Sequence, residues 1–139
     1  MFTHVMVGAN DLERLVTFYD AVLQHTDFCR TTSLDDLGPA GIIWQVPGSR
    51  WPQFAIGPPQ NGQAASAGNG VMVSFACRSQ AAVGAAWKAA LAQGGTDAGA
   101  PGERPVYSDD FHAAYVRDPE GNKLCFLHCA AFAPDTSDT

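Results

Sequence analysis

Apolar positions alternate between two rhythms along this chain, short strand-like runs and longer stretches with helical spacing. "FTHVMVG" (Phe2 to Gly8) is a β-branched, apolar run that reads as a strand. In "NDLERLVTFYDAVLQ" the period changes. Leu12, Leu15, Val16, Tyr19, Val22 and Leu23 keep the 3,4 spacing of one buried helix face. Asn10 is the predicted N-cap, with Glu13 three residues on as in a capping box. "FCRTTSL", "GIIWQVP" and "PQFAIG" follow as predicted strands, the last two joined in a hairpin around "PGSRW". Residues 60–69, rich in Gly, Ala, Ser, Gln and Asn, have no periodicity and read as a linker.

The order then repeats. "GVMVSFAC" is a strand and "SQAAVGAAWKAALAQGG" a helix, with Ser79 as cap and Val83, Ala86, Trp87, Ala90 and Leu91 as its inner face. Gly94 and Gly95 end it. A short sixth strand is expected near Thr96, then a non-strand Gly- and Pro-rich passage from Gly99 to Pro105. "AAYVRDPEGNKLCFLH" closes the repeat as two strands around a tight turn. One domain of 1–139 is expected, with modules at 1–59 and 70–129, the linker at 60–69 and a frayed tail at 130–139. Neither module can bury its apolar sheet face alone. Pairing them predicts an α+β fold, a curved mixed sheet around a cleft with helices outside.

The last hairpin fixes a register. Pro119 suits the second position of a type I turn and Gly121 the left-handed residue after it. Asp118 and Asn122 then close the turn and Tyr115 faces Cys125. Alternation places Ala113, Tyr115, Lys123, Cys125 and Leu127 on one face, with His112 and His128 on the other.

Charge narrows the partners. Eight Lys and Arg against fourteen Asp and Glu give a formal net charge of −6, with no basic cluster in the sequence. That argues against nucleic acid or an anionic membrane. No secretory leader or membrane span is legible, so a cytoplasmic location with reduced thiols is expected. Cys29, Cys77, Cys125 and Cys129 show no CxxC spacing. Cys125 and Cys129 would stand roughly 13 Å apart on one strand, too far to bridge.

"THVMVGANDLERLVTFYDAVL", the second strand-helix unit and "YVRDPEGNKLCFL" together resemble the vicinal oxygen chelate superfamily, the glyoxalase, bleomycin-resistance and extradiol-dioxygenase group. The resemblance implies paired βαβββ modules, a small-molecule ligand and a homodimer. It also implies that metalloenzyme members take ligands from the first and last strand of each module. His4 matches the first such position; the second falls on Gln53 or Ala55; Met72 stands where a His is usual, and Cys125 where a Glu is usual.

Imidazole, thioether and thiol form a soft set, unlike the imidazole and carboxylate ligands of an oxygen-chelating catalyst. The expected function is therefore binding of a small aromatic or amphipathic molecule without a catalytic metal, catalytic residues being unassigned. Candidate binding residues are His4, Trp44, Met72, Tyr115 and Cys125. The alternative is a lyase, isomerase or dioxygenase that holds Zn, Ni, Fe or Mn through His4 and Cys125. Glu103, Asp109 or Asp110 would then serve as base. A third reading makes Cys125 a nucleophile activated by His4.

Overall fold

The computed structural model describes residues 1–132; the part of the expected tail from residue 133 onward lies outside the described residues. Strand β1 (His4–Gly8) leads into helix α1 (Leu12–Leu23), then β2 (Cys29–Arg30), β3 (Ile42–Gln45) and β4 (Gln53–Gly57). The second module repeats this with β5 (Met72–Ala76), α2 (Gln80–Ala92), β6 (Thr96–Glu103), β7 (His112–Arg117) and β8 (Lys123–His128). Each module forms its own four-stranded sheet, ordered β1-β4-β3-β2 and β5-β8-β7-β6. In each, the first strand runs parallel to the last and the remaining pairs are antiparallel. This is the expected α+β architecture of paired βαβββ modules.

The helices lie on one face of each sheet and touch each other. One core therefore joins both modules. Leu15, Phe18, Tyr19, Val22 and Leu23 of α1 are buried in it, together with Val83, Ala86 and Ala90 of α2. An aromatic chain crosses the middle: Tyr19–Phe54 at 4.9 Å, Phe54–Phe75 at 5.2 Å and Phe75–Phe126 at 6.5 Å between ring centroids. Such pairs each add about 0.5–1.5 kcal/mol beyond the area they bury. The opposite face of each sheet is open, exposing Met6 on the first and Met72 on the second.

Three local expectations change. The N-cap of α1 is Asp11, whose carboxylate accepts from Arg14 N, and not Asn10. Asn10 instead grips the linker, donating to Ala65 O at 3.0 Å and accepting from Ala65 N at 2.7 Å. Phe18 joins the buried face that the 3,4 pattern had drawn without it, while Leu12 is only half-buried. The sixth strand runs on to Glu103 through the Gly and Pro passage, with register shifts between Asp97 and Gly102. Among the described residues it is an edge strand paired with β7 alone, so Pro101 removes no essential ladder bond.

The DPEGN turn locks the two modules together. Asp118, 2% exposed, accepts from Tyr19 Oη at 2.6 Å, from Asn122 Nδ2 at 2.8 Å, and from the backbone N–H groups of Glu120 and Asn122. Glu120 reaches the start of α1 and accepts from Asn10 N at 2.7 Å and Asp11 N at 2.9 Å. A carboxylate there satisfies N–H groups that the helix itself leaves free and meets the positive end of its dipole. Gly121 sits at φ +92°, the left-handed conformation this turn requires.

Candidate functional site on the open sheet faces

Strand register sorts the candidate residues by face. In the second sheet Met72 pairs with Lys123, Ser74 with Cys125, and Cys125 with Tyr115. The expected hairpin register is thus the observed one. Ala114, Val116, Leu124 and Phe126 point into the core, so Met72, Tyr115, Lys123 and Cys125 share the open face. In the first sheet His4 pairs with Gln53 and Met6 with Ala55. His4 is exposed on that sheet's open face, with its Nδ1 3.0 Å from Thr3 Oγ1 and its ring 6.3 Å from that of Trp51.

Trp44 does not join them. It is 1% exposed, alternates inward with Ile42, and donates from Nε1 to Asp20 Oδ1 at 3.1 Å beneath α1. Its partner across the strand is core Phe54, so it packs as a core residue and cannot line the open face. His4 and Cys125 occupy the open faces of different sheets, and among the described residues neither hollow on those faces is lined by both.

The two modules also answer which fourth-strand residue corresponds to Cys125. His4 is level with Gln53 as Met72 is level with Lys123; Met6 is level with Ala55 as Ser74 is level with Cys125. Internal symmetry therefore equates Ala55, not Gln53, with Cys125. The four positions at which the resemblance implies ligands then carry imidazole, methyl, thioether and thiol. Among the described residues no three His, Cys, Asp or Glu side chains are grouped to hold an ion. The donor set does not fit a hard, oxygen-chelating metal centre.

Cys125 is 1% exposed, and burial pushes its pKa up; hydrogen bonds with Ser74 and Tyr115 and the charges of Arg104 and Lys123 pull more weakly the other way. A thiol kept protonated is a poor nucleophile. Two of the three acidic residues named as bases are engaged elsewhere. Glu103 pairs with His112 on the helix-facing side and meets Gln80 of α2 at 3.4 Å. Asp110 accepts from Ala130 N and Ser108 Oγ, both at 2.9 Å, which hold its pKa down. Asp109 is exposed in the loop before β7.

A hollow of about 750 Å³ opens on the second sheet, walled by Met72, Tyr107 and Tyr115 and rimmed by Arg104, Arg117 and Lys123. The Arg104 guanidinium lies 5.6 Å and the Lys123 ammonium 5.5 Å from the Tyr115 ring centroid. Burial raises the Tyr115 pKa, so its hydroxyl stays protonated at neutral pH. Gly99 pairs with Tyr115, and a Cβ there would stand 2.9 Å from Tyr115 Cδ2. A second hollow, of about 860 Å³, lies on the first sheet between Met6, Gly8, Gly57 and the linker. Neither draws on both sheets. Alternation in the sequence places Lys123 beside Tyr115; Arg104 lies in the Gly- and Pro-rich passage, where no alternation assigns it a face.

A sequence model of the Glyoxalase/Bleomycin resistance protein/Dioxygenase superfamily matches residues 1–126. The chain belongs to this superfamily. A glyoxalase/bleomycin resistance protein from Albidiferax ferrireducens T118 is 40% identical, with a TM-score of 0.78 over 92% of this chain and 98% of that one. A glyoxalase-related enzyme from Fulvimarina pelagi is 20% identical, with a TM-score of 0.68 over 92% of this chain and 87% of that one. A lactoylglutathione lyase from Agrobacterium tumefaciens is 18% identical, with a TM-score of 0.60 over 92% of each chain. The last two similarities concern the superfamily fold alone. No curated protein matches the chain. Among the described residues no helix is long and apolar enough to cross a membrane.

Proposed function

We propose that this superfamily member is a metal-independent receptor for a small aromatic or amphipathic molecule, held on the open face of the second sheet. The observation that carries this reading is the hollow around Met72 and Tyr115, set beside positions that offer an ion His4, Ala55, Met72 and Cys125 in place of a carboxylate-bearing set. Apolar walls with a few convergent polar groups are what a ligand site of this size requires. A homodimer completes the proposal, with a second copy covering the open faces. Exposed Met6, Val71, Met72, Val106 and Tyr107 support it, since a monomer seldom leaves so many large apolar groups bare. Four free thiols fit a reducing, cytoplasmic setting.

Equilibrium dialysis against Zn, Ni, Mn and Fe(II), followed by metal analysis, tests the metal-independent part. The expected result is no stoichiometric retention by wild type. One ion per chain, lost in His4→Ala, overturns the proposal in favour of a metal-dependent lyase, isomerase or dioxygenase.

A further inference from the structure

We infer that the hollow on the second sheet selects an aromatic carboxylate, the anionic group held by Arg104, Arg117 and Lys123 and the flat body laid against Tyr115 and Met72. This rests on the receptor reading above and adds a charge and a shape to it. Arg117 and Lys123 stand directly opposite each other across β7 and β8, on the open face. Like charges so placed destabilise a sheet. Arg104 adds a third positive charge on the same rim, and among the described residues no carboxylate side chain lines the hollow. Among the described residues none of the three is in an ion pair; the Arg30, Arg78 and His112 pairs lie elsewhere.

The cations are also held in place. Arg104 donates to Ala100 O at 2.8 Å and Glu103 O at 3.2 Å, and Arg117 donates to Gly121 O at 2.9 Å. Arg104 and Lys123 are half-buried against Tyr115. In a chain with a net charge of −6, three of the eight cations converge on one apolar hollow. A carboxylate would relieve their mutual repulsion and accept Arg hydrogen bonds in a fork geometry. Tyr107, whose ring lies 4.9 Å from that of Phe111, extends the aromatic wall for the ligand's body.

Calorimetric titration of the wild-type chain with 2-naphthoate and with 2-naphthamide, its neutral isostere, tests the inference. At about 20 mM salt the acid should bind roughly ten-fold more tightly than the amide, and the ratio should shrink in about 0.5 M salt as the charges are screened. In the double variant Arg104→Gln/Lys123→Gln the ratio should approach one, while Lys88→Gln, remote on α2, keeps it. A thermal melt confirms that each variant is folded. Equal affinity for acid and amide in wild type, or an unchanged ratio in the double variant, overturns the inference. EDTA-insensitive binding of the amide would then leave the receptor reading standing. Binding of neither compound overturns both.

Discussion

Asp118→Asn isolates the junction that holds the two modules together. The substitution keeps volume but turns one of two carboxylate oxygens into an NH2 group. The native carboxylate accepts four hydrogen bonds, from Tyr19 Oη, Asn122 Nδ2 and two backbone N–H groups. With the NH2 at Oδ1 the two backbone N–H groups lose their acceptor and face a donor; with it at Oδ2 Asn122 Nδ2 loses its acceptor and the Tyr19 hydroxyl must turn to accept, in a site that is 2% exposed. Hydrogen bonds to a charged group contribute about 1.5–3 kcal/mol each, and part of the loss is recovered by relaxation, so about 3 kcal/mol is expected. For a chain of this size that lowers Tm by about 10 °C. Tyr19→Phe removes one donor and should cost about 2 kcal/mol. Because both substitutions break the same bond, the double variant should be at least 1 kcal/mol more stable than the two losses summed. Urea unfolding followed by tryptophan fluorescence measures all three. A loss under about 1 kcal/mol for Asp118→Asn, or strict additivity, would refute the claim that this turn joins the modules.

Trp44→Phe should lower stability by about 2 kcal/mol, through the lost Asp20 bond and a small void, while leaving naphthoate affinity unchanged. A change in affinity with stability intact would return Trp44 to the site. Cys125 should resist iodoacetamide at pH 7.5 in the native state and react once the chain is unfolded; rapid native labelling, mapped by mass spectrometry, would contradict its protonated, buried state. Burial pushes the Cys77 pKa up to about 12 from the ordinary 9.0. The native state therefore keeps a proton that the unfolded chain releases, and this contribution is complete below about pH 9 and is lost as pH rises toward 12. Accordingly, Cys77→Ala should show a shallower alkaline fall in stability than wild type. Sedimentation equilibrium should report a dimer at micromolar concentration, weakened by Met72→Glu. A monomer with full ligand affinity would separate binding from assembly.

Turn chemistry and strict alternation made the last hairpin legible, down to Tyr115 facing Cys125. A one-residue slip would have moved its whole apolar set to the wrong face. The first hairpin could not be sorted that way. Ile42, Ile43 and Trp44 are all large and apolar, and only packing beneath α1 decides that Ile43 faces out. β6 was obscured because Gly99, Pro101 and Gly102 carry low strand propensity, which an edge position tolerates. The same passage hid Arg104, one residue past the end of β6, and hence the full charge of the rim. Asn10 and Asp11 can both cap a helix; the tertiary demand of Ala65 on Asn10 left the role to Asp11. The symmetry equating Ala55 with Cys125 needed the observed pairings, since hairpin loops of unequal length hide it in the sequence.

Titrating 2-naphthoate into metal-stripped protein in EDTA, and again after adding one equivalent of Ni or Zn, addresses the metal-independent receptor most directly. The same affinity in both titrations is the predicted result. Binding that vanishes in EDTA and returns with a single ion would contradict it.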